Sequence, residues 1–532
     1  MLTRRNLLSS SAAIGVGVAG LRVPAFAATP PGIVVMAKQI DDVISFDPAE
    51  SYEFTDNEVD GNCYRKLIVP DAQNGTKIDG DLAEKWDISK DGQTFTFHMV
   101  KNAMFDSGKP VTAEDAEFSL RRAVILNKTP GFILTQFGLT KDNVEKQIHA
   151  TDDHTLVMEL PSLQAPSFVL YCLSANIGCV VEKAAAMAHA DNGDMGNGWL
   201  KTHTAGAGGF KLTSWQASDH IIVDANPHAS PKPGVRRIVL QHVKDPAEQL
   251  LLLEKGGVDI ARDLQADQLK TILHNANFHT ESAGQATSMY VTMNQSMPEL
   301  AKPEVHQAIK WAINYDAIAK NITPMTWTVQ QSFLPKGIPG ALTDQPFTQD
   351  LGRAKTLMMQ AGLPDGFNAT MDYYAAPPYD QIAQAVQADL GKIGIKVQLL
   401  PAEQKQVITK MRARQHQLLM LTWGSDYFDP NSNAQAFCAD PDDSDNSKLK
   451  ILAWRSHFKN GQLTKEVEDA VKELDPEKRL EIYRDMQQQF WDVAPFAMML
   501  QKNEVATMSK AISGLKIGPM PDYTRYAAIK KA

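Results

Sequence analysis

The chain has 532 residues, of which 43% are apolar and 22% charged, with a net charge of −9. That length exceeds what one hydrophobic core serves, so two or more lobes are expected, and the composition allows them to be buried. A mild acidic balance without any basic run argues against nucleic-acid binding, which needs clustered Lys and Arg to displace counterions.

In chain order, the first signal is a targeting segment. Thr3-Arg4-Arg5-Asn6-Leu7-Leu8 is a twin-arginine signature, followed by a weakly apolar stretch to Leu21 and by the small-x-small site Ala25-Phe26-Ala27. Residues 1–27 are therefore expected to be a signal peptide cleaved after Ala27, which directs folded export to the periplasm. The competing reading, a short membrane anchor, is disfavoured because Arg22 interrupts the stretch. No later run reaches the roughly 18 apolar residues that span a bilayer, so a soluble mature protein is expected. No cysteine stands near the cleavage site to carry a lipid.

Gly32 to Ala37 reads as a strand and residues 53–67 as a helix. Asp91-Gly92 is a turn dipeptide, and Thr94 to Met99 alternates polar and apolar side chains as a half-buried strand does. Thr112, three residues ahead of Asp115, opens an apolar-faced helix with a capping pattern. Thr155–Leu160 reads as a further strand. Asp245-Pro246-Ala247-Glu248 starts a helix that Gly256-Gly257 stops, and Lys302-Pro303 opens one running through Ile318. Asp350 to Gly362 is a helix with a glycine stop. Gln381–Gly394 leads into a strand at Ile395–Leu400, Leu418–Thr422 is a short buried strand, and Asp475-Pro476-Glu477 caps a last helix to Asp492. Pattern alone implies an α/β protein of several lobes.

The wording of residues 82–122 is more specific. Leu82-Ala83-Glu84-Lys85-Trp86-Asp87-Ile88, then Asp91-Gly92, then Phe105-Asp106-Ser107-Gly108-Lys109-Pro110-Val111-Thr112-Ala113-Glu114-Asp115 resembles the signature of the extracellular solute-binding proteins of family 5. These are the dipeptide, oligopeptide and nickel receptors of ABC importers. Phe46-Asp47-Pro48 is similar to another family element. So is Gly206-Ala207-Gly208-Gly209-Phe210, with Ala207 and Gly209 departing from the usual Thr and Pro.

The resemblance implies the periplasmic binding protein fold: two α/β lobes joined by a two-strand hinge, plus an extra small domain. Lobe I is expected from 28–63, 176–286 and 506–532, with the small domain at 64–175 inserted in it. Lobe II is expected at 287–505, including hinge strands near Thr287–Asn294 and Leu500–Val505. The function implied is capture of a di- or oligopeptide, or a peptide-like amine solute, for delivery to an ABC permease and ATPase complex. A monomer, no cofactor and no catalytic activity are expected. A non-peptide ligand of the same family (metal chelate, opine or sugar-derived solute) is the alternative. An exported enzyme is a distant third.

Trp423-Gly424-Ser425-Asp426-Tyr427-Phe428-Asp429-Pro430 is the candidate ligand loop: an aromatic, small, small, acid, aromatic run after a strand, where open α/β sheets bind ligands. In peptide-binding relatives the first Asp of this loop pairs with the peptide α-ammonium, and the resemblance places that role on Asp426. Nickel-binding relatives lack the acid. Receptors for longer peptides often carry Cys where Gly424 stands. Tyr52, Glu53 and Phe54 occupy the segment with which relatives line the pocket. Asp429 is expected to hold the turn before Pro430. Arg412 and Arg414 could grip a ligand carboxylate, although solvated helix-end charges are the plainer reading.

Other patterns carry less. Gly206 to Gly209 lacks dinucleotide-binding spacing, Asp440–Asp445 misses the EF-hand pattern, and no HExxH or GxSxG occurs. Cys63, Cys172, Cys179 and Cys438 show no zinc-site spacing, and Cys172 could bridge Cys179 in an oxidising compartment.

Overall fold

The computed structural model describes residues 29–71 and 77–532; the expected signal peptide lies outside the described residues. A single mixed sheet of 11 strands runs through the molecule. Its order is Lys396–Ala402, Asn368–Tyr374, Leu418–Gly424, Phe278–Met293, Phe496–Ser509, Ile260–Ala261, Ile33–Lys38, Arg237–His242, His220–Ala225 and Phe210–Gln216, with Trp327–Val329 pairing beside Phe496–Ser509. The two longest strands, Phe278–Met293 and Phe496–Ser509, run antiparallel through the middle. One end of this pair abuts Leu418–Gly424 and the other abuts Ile260–Ala261. Their ladder breaks between Gly284 and Ser288. Among the described residues these two strands alone join the two halves of the sheet, and the break falls where the chain passes between them.

Each half has its own core. Val34, Met36, Val223, Ile238 and Leu240 pack in one, Met289, Val291, Ile309, Met371 and Met420 in the other. A third packing unit is the four-stranded antiparallel sheet Ala83–Ile88, Thr94–Met99, Thr155–Glu159, Ile148–Asp152, covered by the helix Ala113–Leu126. Alternation in Thr94–Met99 does what period 2 dictates: Phe95, Phe97 and Met99 are buried while Thr94, Thr96 and His98 are partly exposed. The helix opens with the expected reciprocal cap between Thr112 and Asp115. The chain is α/β, as the sequence implies.

Several boundaries differ from expectation. The helix expected over 53–67 spans Phe54–Cys63, because Tyr64 turns extended and Lys66 bridges to Cys179. The helix expected from Pro303 through Ile318 is two helices, Pro303–Ala312 and Tyr315–Asn321. Asn314 breaks it by accepting the Ala317 N–H at 3.0 Å, an N-cap that starts the second helix. The strand expected to end at Thr422 continues to Gly424, so Trp423 and Gly424 are paired with Ser288 and Thr287. The four cysteines are buried and unbridged. Cys172 instead accepts from the Gln136 amide at 3.5 Å, and Cys179 donates to Asn176 Oδ1 at 3.4 Å.

Candidate ligand-binding site

Two segments approach each other from opposite halves of the sheet. Ser51 to Phe54 follow the strand Ile33–Lys38 and lead into the helix Phe54–Cys63, and Thr422 to Tyr427 end the strand Leu418–Gly424. Each follows the carboxyl end of a strand that has a parallel neighbour, Arg237–His242 in the first case and Asn368–Tyr374 in the second. Between them lies a cavity of about 220 Å³. All eight residues anticipated as ligand contacts border it: Tyr52, Glu53, Phe54, Trp423, Gly424, Ser425, Asp426 and Tyr427. The small unit adds Pro130, Ile133 and Ala175 to Ile177, and the C-terminal segment adds Met520 to Tyr523.

The acid at the centre is Asp426. Its backbone N–H is fixed by Ser432 Oγ at 2.8 Å, and its Oδ1 accepts the Tyr52 hydroxyl from the opposite half. No cationic side chain pairs with it among the described residues. Burial pushes its carboxyl up to about 6, against the opposing pull of the Tyr52 hydrogen bond. Burial and the neighbouring Asp426 both push the Tyr52 phenol up, so it stays a donor. Tyr52 also packs edge-on against Phe132 of the small unit, with centroids 6.3 Å apart. Residues of all three packing units thus border the cavity that holds this carboxylate.

The remaining anticipated residues divide by what their side chains touch. Phe54 lies against Gly424, where a Cβ would stand 3.1 Å from Phe54 Cζ and would press on that ring. Ser425 is committed to the protein, donating to Asn433 Oδ1 at 2.7 Å. The Tyr427 ring is 1% exposed and packs against Phe168 in the small unit's core, its hydroxyl accepting from Asn431 at 3.3 Å. Trp423 packs edge-on to Phe437, and its buried indole N–H has no partner among the described residues.

Asp429 holds its turn by capping the helix Pro430–Cys438, accepting from Asn431 N at 2.8 Å. It does more than the sequence suggested: its carboxylate takes a two-pronged contact from Arg479 at 2.7 and 2.8 Å, fully buried. The plainer reading of Arg414 as a solvated charge is wrong. Its guanidinium is buried against Trp454, 4.1 Å from the ring centroid, and pairs with Asp443. Arg412 is exposed, as that reading holds.

Asn57, Asn176 and the Met520–Tyr523 segment were not anticipated. Asn57 had a signal, since it lies one helical turn beyond Glu53 and Phe54 and so shares their face. Asn176 donates to Ser51 Oγ at 2.7 Å, and both bond the buried Asp60 beneath the cavity. Asp522 borders the cavity with its charge already taken, paired with the buried Lys66. Nothing local in the sequence marks these last contacts, which come from segments about 120 and 470 residues away. Among the described residues no group of three or more His, Cys, Asp or Glu is placed to hold a metal ion.

A crevice walled by both halves of one sheet, with only two strands crossing between them, defines a binding protein of the periplasmic type. Residues 77–445 match the pattern of the bacterial extracellular solute-binding proteins, family 5, middle region, and the chain belongs to that family. It is 27% identical over 93% of both chains to the probable D,D-dipeptide-binding periplasmic protein of Escherichia coli (strain K12). Among solved structures it resembles the ABC transporter-associated periplasmic binding protein from Helicobacter pylori in complex with the peptide STSA. There the TM-score is 0.77 at 23% identity, covering 94% of this chain and 98% of the other. A protein from Campylobacter jejuni in complex with Ni(L-His) shares the fold with TM-score 0.76 at 19% identity, covering 94% and 100%.

Proposed function

We propose that this protein is the periplasmic receptor of an ABC importer and that it captures a short peptide, or a peptide-like amine solute, by its ammonium group. One observation carries the reading: Asp426, a buried carboxylate without a cationic partner, borders the cavity from one half of the sheet and is touched by Tyr52 from the other. An ammonium there forms a charge-assisted hydrogen bond in a poorly hydrated site, where such bonds are strong. The peptide-binding descriptions of its relatives favour the same ligand class.

The small cavity and the glycine at 424 favour a ligand of a few residues over a long chain. In this reading 28–63, 176–286 and 506–532 form one lobe, 64–175 the small domain and 287–505 the second lobe, with closure about the two crossing strands. A ligand touching both lobes only when they close stabilises that state by its differential affinity. Twin-arginine export, a monomeric state and a purely non-catalytic role belong to the same proposal. Calorimetric titration of the mature chain with dipeptides and tripeptides tests it. Free-amine peptides should bind, and their N-acetylated forms should bind at least about 30-fold more weakly. Equal binding of both forms contradicts it.

A further inference from the structure

The charge on the cavity's border is one-sided, with Arg412 and Arg455 acting on Glu53 and Tyr52 only through space. Three carboxylates border the cavity, Glu53, Asp426 and Asp522, and among the described residues no Lys, Arg or His does. Lys66 neutralises Asp522, and Asp426 is the ammonium anchor of the reading above. That leaves Glu53. It is the N-cap residue of the helix Phe54–Cys63, yet its carboxylate does not cap the helix; Asp42 does so instead, accepting Thr55 N at 3.0 Å. The Glu53 carboxylate makes no hydrogen bond or ion pair with any described residue. The charges that act on it through space are Asp42 on its own side and Arg412 from the facing half, and Arg412 forms no ion pair with it. Burial, followed by Asp42, raises its carboxyl above the ordinary value, against the opposing pull of Arg412. A helix-start glutamate left free of its own helix, half-buried and one residue from Tyr52, is available to a ligand.

We propose that Glu53 is a specificity-determining residue and that the preferred ligand carries a second positive charge, a side-chain ammonium or guanidinium that Glu53 accepts while Asp426 holds the α-ammonium. This rests on the reading of Asp426 given above and narrows it from peptides in general to those with a basic first residue. The aromatic border supports the same class, because the stem of a lysine or arginine lies well along rings such as Phe54, which is 52% exposed in the cleft.

The test is calorimetry on the mature chain with Lys-Ala, Ala-Ala and Glu-Ala at pH 7. Lys-Ala should bind about tenfold more tightly than Ala-Ala, with Glu-Ala weakest. Glu53→Gln should bring the Lys-Ala to Ala-Ala ratio close to one, and Glu53→Asp should restore part of it. Equal wild-type affinity for Lys-Ala and Ala-Ala overturns the proposal while leaving the Asp426 anchor standing. So does an equal loss for both peptides in Glu53→Gln, which would show that Glu53 serves Arg412 across the cleft. Failure of all three peptides to bind removes the anchor reading, and this proposal with it.

Discussion

At the scale of single residues the account turns on two ionisations. Asp426 in the empty receptor titrates near 6, and a peptide α-amino group near 8. Binding pairs the ionised acid with the protonated amine, so affinity should be greatest between those values. Below pH 6 the carboxyl must lose a proton before it can bind, and affinity should fall by up to about tenfold per unit. Above pH 8 the ligand loses its charge and affinity should fall again. Titrations from pH 4.5 to 9 check this, and a flat profile contradicts it. Asp426 was legible in the sequence because its loop keeps a family wording. Asn176 and Asp522 were not, because each reaches the cavity by the folding together of distant segments rather than by any local pattern.

At the scale of elements, the helix Phe54–Cys63 carries strain of an electrostatic kind. Asp56 lies buried in its first turn, where burial and then the Asp42 charge push its carboxyl up to about 8. A folded value above the ordinary 3.8 means the native state holds the proton more tightly, so stability falls as pH rises from about 4 to 8 and is level beyond. Asp56→Asn should therefore melt at a higher temperature than the wild type at pH 8 and at nearly the same temperature at pH 4. Thermal denaturation at both values decides it.

The Asp429–Arg479 pair behaves in the opposite way, since each partner satisfies the other. Arg479 also bonds the Ala470 carbonyl at 2.9 Å and Ser167 of the small unit at 3.2 Å. Arg479→Met leaves Asp429 charged and buried without its partner, and should cost about 3–5 kcal/mol in urea unfolding. An effect within about 0.5 kcal/mol would show that the pair is not structural. Capping signals such as Thr112, Asp245 and Asp475 were readable because they act within four residues. The break at Asn314 was missed because the apolar period continues through it and only the local side-chain bond interrupts the helix.

At the scale of the molecule, the helix that leaves the cavity is tied to a crossing strand. Arg262 pairs with Glu58 on the helix that leaves the cavity and with Glu504 on a crossing strand. These charges lie beside the passage between halves, where the ladder of the long strands is interrupted. Small-angle scattering should show a smaller radius of gyration with a saturating free-amine peptide than without, since only a closed cleft lets both walls touch it. An unchanged radius would argue against hinge closure.

The central claim is that Asp426 holds the ligand through charge, and one comparison tests it most directly. The binding of a free-amine dipeptide and of its N-acetylated form is measured by calorimetry for the wild type and for Asp426→Asn. Asparagine keeps the shape and the hydrogen-bonding capacity but removes the charge. The account predicts about a 30-fold or greater loss for the free-amine peptide and little change for the acetylated one. Equal losses for both, or none for either, would contradict it.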